Sequence, residues 1–220
     1  MTRLDRDLEE SFRLDKLYEW ENERREQNGF IAGVDEAGRG PMAGPVVASA
    51  VILPRYPQIL YINDSKKLSP RLRERIFYSI IDTSFAVGIG IRSAKFIDEN
   101  GISAATFSAM RAAIDELLST GLQPGLIAVD GYRIPGLQIK QEAIIKGDAK
   151  IASIACASIV AKVVRDRIMV QFDRLYPEYG FSIHKGYCTS LHMDLLRRKG
   201  PSPIHRRSFQ PVRDVLSSTL

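Results

Sequence analysis

Cysteine is scarce: Cys156 and Cys188 are the two among 220 residues. Two thiols cannot staple a chain of this length. A disulfide framework is therefore excluded, and a reducing cytoplasm is the expected location. Also missing is an apolar run of the ~18–20 residues that a membrane-spanning helix needs. The nearest stretch, 151–164, is interrupted by Lys162 and by serines. Residues 1–28 are charged throughout, so no secretory signal is expected. Neither a repeat of fixed period nor a low-complexity tract occurs. What is present is ordinary for a folded domain, with 45% hydrophobic and 26% charged residues. The length suits one domain, or one domain with a small appendage.

Charge is unevenly placed. The 31 Lys/Arg and 26 Asp/Glu leave a net +5. Residues 1–30 carry six basic and nine acidic side chains, whereas 183–220 carry seven basic and two acidic. The carboxyl-terminal end is the electropositive one. It reads either as a solvated basic face or as a surface for phosphates.

Apolar patterning predicts a helix over 2–27, with Leu4, Leu8, Phe12, Leu17 and Trp20 as scattered anchors. Strands are predicted at 30–36, 45–53, 85–91, 126–129 and 138–144. Ser69-Pro70 opens a helix to about 81, and further helices are predicted at 93–99, 103–119, 151–172, 188–199 and 208–217. Three consecutive strands with short links suggest antiparallel pairing, and later strands joined through helices suggest parallel additions. The expected architecture is α/β: a mixed central sheet flanked by helices, with a small helical module behind it. The expected division is an amino-terminal helical extension (1–28), a central α/β domain (29–174) and a carboxyl-terminal helical module (175–220).

Acidic residues sit where apolar ones belong. Asp35 and Glu36 follow Phe-Ile-Ala-Gly-Val, and Asp130 follows Leu-Ile-Ala-Val. Carboxylates are poor strand formers and lose hydration at the edge of a core. Both strands deliver them at carboxyl ends, where α/β sheets place their sites. Asp148 reads as a helix cap or as a further member of the cluster, and Asp130-Gly131 alone would pass as a turn. Clustered carboxylates repel by roughly 1–4 kcal/mol per pair at 4 Å. A divalent cation removes that cost, and an oxygen-only donor set favours Mg²⁺ or Mn²⁺ over zinc. Two ions about 3.5–4 Å apart would suit in-line displacement at a phosphodiester. Adjacent strand residues point to opposite faces, so Asp35 and Glu36 reach one site only if the strand bends or Glu36 uses its length.

After the acids comes Ala37-Gly38-Arg39-Gly40-Pro41-Met42-Ala43-Gly44-Pro45. Its glycines permit close approach of backbone to a ligand, and Arg39 suits a phosphate; a plain tight turn is the alternative. Gly88-Ile89-Gly90 only loosely resembles a dinucleotide fingerprint, with Ser93 in place of the third glycine. His184, Cys188 and His192 have helical spacing that would suit zinc, but no fourth ligand is evident and Gly186 weakens the helix. His184-Lys185-Gly186-Tyr187 reads better as a loop presenting a cation and an aromatic ring, with Tyr187 stacking on a sugar or base or else buried. Ser65, Lys66 and Lys67 form a polar cluster that suits backbone phosphates or plain solvent.

Together these runs resemble the bacterial ribonuclease HII family. The similarity lies in GVDEAGRGPMAGPVVASAVIL (33–53), NDSKKLSP (63–70), VDGYRIP (129–135), KGDAKIASIACASIVAKVVRDRIM (146–169), YGFSIHKGYCT (179–189) and HRRSF (205–209). The resemblance implies a ribonuclease H-like fold, with 29–174 as the catalytic domain and 175–220 as a substrate-binding module. It implies metal-dependent endonucleolytic cleavage of RNA in RNA–DNA hybrids and at single ribonucleotides in duplex DNA. The family's carboxylates fall on Asp35, Glu36, Asp130 and Asp148. Its Gly-Arg-Gly reader of the ribose 2′-hydroxyl falls on Gly38, Arg39 and Gly40, and its junction tyrosine on Tyr187. Ser65, Lys66 and Lys185 are expected to help hold the nucleic acid. A monomer is expected. No clamp-binding tail is expected, because Gln210-Pro211-Val212-Arg213 lacks a following aromatic pair.

Overall fold

The computed structural model describes residues 3–56, 59–63, 65 and 67–218, with the side chains of 3–7 outside the description. Five strands form one sheet in the order β3-β2-β1-β4-β5. Strands β1 (Phe30–Ala37), β2 (Val46–Ile52) and β3 (Ala86–Arg92) pair antiparallel. Strands β4 (Pro124–Asp130) and β5 (Gln141–Ile144) add in parallel beside β1. The mixed sheet anticipated from the link lengths is therefore present, and β1 is its central strand.

Helices cover both faces. On one side lie α1 (Arg3–Asn28), α2 (Pro70–Thr83) and α5 (Ala152–Leu175). On the other lie α3 (Ala94–Asn100) and α4 (Ile102–Leu118). Local chemistry places several of these ends. Ser69 accepts a hydrogen bond from the Leu72 N–H at 3.3 Å and Pro70 fixes the first turn of α2. Ser93 does the same for α3 through the Phe96 N–H at 3.2 Å.

Side-chain alternation divides the core between the faces. Val34, Ala48 and Ala50 pack with Ala109, Met110 and Ile114 of α4. Val51 packs with Cys156, Ile159 and Val160 of α5. Small residues let α5 approach closely: a Cβ on Gly33 would fall 2.2 Å from the Ser153 carbonyl carbon. Gly88 and Gly90 serve the other face in the same way, since a Cβ on Gly90 would lie 1.9 Å from the Ala109 carbonyl oxygen. Their spacing reflects helix packing on β3.

The amino-terminal helix is more deeply integrated than an exposed extension. Leu14, Leu17 and Tyr18 are buried in the core shared with α2 and α5, while the anticipated anchors Leu8 and Phe12 are exposed. Trp20 packs beside Ile31 and Ile154, and the Leu4 side chain lies outside the description. Glu21 is buried and its carboxylate accepts the Ser153 N–H at 2.7 Å. That bond supplies an acceptor at the start of α5, whose own N-cap residue, Ile151, has no side-chain oxygen to offer.

Beyond Leu175 the chain breaks at Tyr176-Pro177 and forms the short α6 (Phe181–His184), then α7 (Ser190–Lys199) and α8 (Gln210–Ser217). Patterning did not anticipate α6, whose four residues are too few for periodicity to register. Leu196, Val212 and Val215 pack around Met42, joining these helices to the glycine loop. Within α8, Val212 is fully buried, while Gln210 and Arg213 are exposed. Among the described residues, no helix is long and apolar enough to cross a membrane.

Candidate active site

The parallel register of β1 and β4 pairs Val34 with Val129. The next residues on the two strands are Asp35 and Asp130. With Glu36 they line a cavity of about 310 Å³ off the carboxyl ends of these strands. Asp35 and Glu36 both lie within β1, opposite Ser49 and Ala48 of β2, and both nonetheless line this cavity. Asp148 lines the same cavity from a single 3-10 turn, Gly147–Ala149, ahead of α5. It is a member of the cluster and not the cap of α5, whose N-cap position is Ile151.

Protein donors hold these carboxylates in place. Asp35 is 5% exposed and accepts its neighbour's N–H, from Glu36, at 2.7 Å. Asp130 accepts the Gly147 N–H at 2.7 Å, which ties β4 to the turn bearing Asp148. Burial, then the charges of Glu36 and Asp130, push the Asp35 carboxyl well above the usual carboxylate range, against a Ser158 hydrogen bond that favours the ion. Glu36 meets the Arg39 guanidinium at 3.5 Å. Ser65 is buried and shares a 3.0 Å hydrogen bond with Ser158.

The donor set fits a hard divalent cation: four carboxylates facing one cavity, with an acid disfavoured as an anion by its own neighbours. As they stand, no three carboxylate, imidazole or thiol groups among the described residues converge tightly enough to ligate a single ion. Asp35, Asp130 and Glu36 are each turned toward an N–H or a guanidinium, so they surround the cavity without meeting at a point.

The glycine loop also lines the cavity, through Gly38, Arg39 and Gly40, and so does Tyr187. Gly38 has φ +96°, and a Cβ there would strike the Arg165 side chain at 2.1 Å. Gly40 is open on its Cβ side. Tyr187 is 41% exposed, with the Lys162 ammonium 5.5 Å from its ring centroid. Lys185 lies instead in the adjoining cleft between α2 and α5, with Arg73 and Asp166. Burial lowers its pKa. Lys66 lies outside the described residues.

The sequence reading missed Ser158, Lys162, Arg165 and Arg206. The first two line the cavity from α5. Arg165 is buried under the loop and donates to the carbonyls of Pro45 (3.0 Å) and Ala43 (3.1 Å). With Lys162, Asp166 and Arg167 beside it in sequence, nothing local singled out Arg165. The histidines are committed to the protein: His184 stacks on His192 at 3.9 Å, and Cys188 is exposed and apart from any ligand set among the described residues.

A sheet of this order, covered on both faces and followed by helices, is the ribonuclease H-like fold. Crystallised ribonuclease H2 from Pyrococcus horikoshii superposes with a TM-score of 0.72 at 28% identity, covering 86% of this chain and 98% of that one. The structure of Bst-RNase HIII in complex with Mn²⁺ shares the fold, with a TM-score of 0.70 at 20% identity over 86% of this chain and 70% of that one. The Ribonuclease HII family model matches residues 32–212. Ribonuclease HII of Lachnoclostridium phytofermentans is 53% identical over 82% of this chain and 70% of its own length. The chain belongs to the ribonuclease HII family, and with it to the ribonuclease H enzymes.

Proposed function

We propose that this protein is an endonuclease that cuts the RNA strand of RNA–DNA hybrids and nicks duplex DNA at single embedded ribonucleotides. Cleavage falls 5′ to the ribonucleotide and leaves 3′-hydroxyl and 5′-phosphate ends. Its cellular work is removal of ribonucleotides and RNA primers from DNA. The observation that carries this reading is the shared cavity, lined by the four carboxylates together with Gly38, Arg39, Gly40 and Tyr187.

Each group of residues has its own task. Asp35, Glu36, Asp130 and Asp148 hold two divalent cations, Mg²⁺ or Mn²⁺, which when bound supply an activated water and charge stabilisation for the leaving 3′-oxygen. Bst-RNase HIII, which shares the fold, has been crystallised with Mn²⁺. The loop at Gly38–Gly40 brings backbone close to the ribose, where a 2′-hydroxyl distinguishes RNA from DNA. Arg39, 43% exposed at its side chain, releases Glu36 to the cations and turns to a backbone phosphate. Tyr187 stacks on the sugar or base at the junction.

The test is cleavage of an end-labelled DNA duplex containing one ribonucleotide, with Mg²⁺ or with EDTA, beside an all-DNA duplex. The expected result is a Mg²⁺-dependent nick 5′ to the ribonucleotide and none in the all-DNA control. Cutting of a continuous hybrid alone would restrict the activity to hybrids. Cutting of neither would overturn the reading.

A further inference from the structure

Two adjacent residues outside the cavity, His205 and Arg206, link the glycine loop to Tyr187, Arg206 by direct contact with the loop and His205 through a second histidine. Arg206 is fully buried. Its guanidinium donates to four loop carbonyls: Gly44 at 3.0 Å, Arg39 at 2.9 Å, Gly38 at 2.5 Å and Pro45 at 3.2 Å. Its backbone N–H donates to a fifth, Met42, at 2.9 Å. A buried cation satisfied by carbonyls and not by a carboxylate is costly to form, and a plain turn does not need one.

His205 reaches the other element through a second histidine. The Ser202 N–H donates to His205 Nδ1 at 2.9 Å, so that nitrogen is unprotonated. The ring proton therefore sits on Nε2, which donates to His192 Nε2 at 3.0 Å. His192 must then carry its proton on Nδ1, which donates to the Tyr187 carbonyl at 2.9 Å. One direction of donation satisfies every member, from Ser202 to Tyr187. The backbone also links the elements, since the Met42 N–H donates to the Gly186 carbonyl at 2.9 Å.

Resting on the function proposed above, we propose that His205-Arg206, with His192, is a clamp that fixes the spacing between the Gly38–Gly40 loop and Tyr187, and so sets selectivity for isolated ribonucleotides over continuous hybrid. A continuous hybrid offers a 2′-hydroxyl at every step, so a complex that slips by one nucleotide is still productive. A single ribonucleotide offers one productive register, in which loop and ring must both be in place. Loosening the clamp penalises that substrate more. These are positioning residues; none of the three lines the cavity.

The experiment compares kcat/KM on a single-ribonucleotide duplex with kcat/KM on a continuous hybrid, for the wild type, Arg206→Lys, His192→Leu and His192→Gln, with thermal melting of each. Lysine keeps the charge but cannot reach four carbonyls. Leucine breaks the histidine relay, whereas glutamine can still accept at one atom and donate from another. The expected result is a fall in the ratio of roughly tenfold or more for Arg206→Lys and His192→Leu, with His192→Gln near the wild type. Equal losses on both substrates, or an unmoved ratio, would overturn the clamp while leaving the nuclease reading intact. A wild type that cuts neither substrate would instead overturn the nuclease reading, and the clamp with it. Should Arg206→Lys melt below assay temperature, the two His192 variants decide the question.

Discussion

Asp35 and Asp130 stand side by side on parallel strands, each one residue past the paired Val34 and Val129. Asp35 is buried there and held well above its ordinary pKa, first by burial and then by Glu36 and Asp130. In the absence of a cation this arrangement costs stability, which is the reverse of what conserving a fold would require. Asp35→Asn is therefore expected to abolish cleavage and to stabilise the metal-free protein by ~1 kcal/mol, a Tm rise of roughly 2–4 °C. Added Mg²⁺ should raise the Tm of the wild type and not of the variant. A variant that still nicks would remove Asp35 from the metal site.

Tyr187 lines the cavity but is 41% exposed, so its ring contributes little to the core. Tyr187→Ala is expected to change stability by less than about 1 kcal/mol while slowing cleavage at single ribonucleotides by roughly tenfold or more. Unchanged rates on that substrate would count against a stacking role.

Two glycines of one loop should respond differently. Gly40 has no positive φ and open space where a Cβ would go, and it faces the cavity. Gly40→Ala is expected to melt like the wild type yet cleave poorly. Gly38 has φ +96° and would drive a Cβ into Arg165, so Gly38→Ala should lose both activity and about 2 kcal/mol or more of stability. Calorimetry beside the cleavage assay checks the contrast.

Glu21 gives the amino-terminal helix a role in the catalytic scaffold. Its buried carboxylate accepts the Ser153 N–H at 2.7 Å and meets Arg25 at 3.2 Å. Burial pushes its pKa up, so a neutral acceptor should serve nearly as well. Glu21→Gln is expected to cost less than about 1 kcal/mol. Glu21→Leu leaves the buried Ser153 N–H without its acceptor and takes one of three partners from Arg25, which keeps the Leu53 and Pro54 carbonyls, and should cost roughly 1–3 kcal/mol in urea denaturation.

Acid should weaken the helical module. Burial, above other causes, holds His192 down to about 4 and His205 to about 3. Their neutral forms contribute full stability above the unfolded value near 6.5. That contribution is lost as pH falls from there through the folded values, at up to about 1.4 kcal/mol per pH unit for each ring. The raised carboxyls of Asp35 and Glu21 titrate with the opposite sign, so the measurement is a difference. The Tm gap between wild type and His192→Gln is expected to narrow or invert between pH 7 and pH 5. A gap that stays constant would show that His192 does not titrate with unfolding.

Much of this was legible along the chain, and the reasons are local. A strand of Phe-Ile-Ala-Gly-Val that ends in Asp-Glu declares both its burial and its exception. Short links and Pro, Ser and Gly punctuation placed β1 to β5 and most helices within a few residues. What escaped is what depends on distant contacts. Glu21 looked like one more charge on an acidic helix until Ser153, 132 residues away, met it. Arg165 and Arg206 sat inside the family-like runs without a role, because nothing linear shows a guanidinium closing on carbonyls of a loop 120 to 162 residues earlier. The histidine spacing suggested a metal, whereas packing turned the rings on one another and on backbone.

By itself, the sequence determined the α/β class, the mixed pairing of the sheet, the misplaced acids Asp35, Glu36 and Asp130 and the glycine loop, because periodicity, turn chemistry and misplaced charge are short-range properties of neighbouring residues. Tertiary structure alone decided that Asp148 joins the cluster instead of capping α5 and that Lys185 faces the adjoining cleft. It also decided that His205-Arg206 ties the glycine loop to Tyr187. Those outcomes depend on where chain segments far apart in sequence come to rest, which is settled by burial of the shared core and by the need to satisfy each buried polar group.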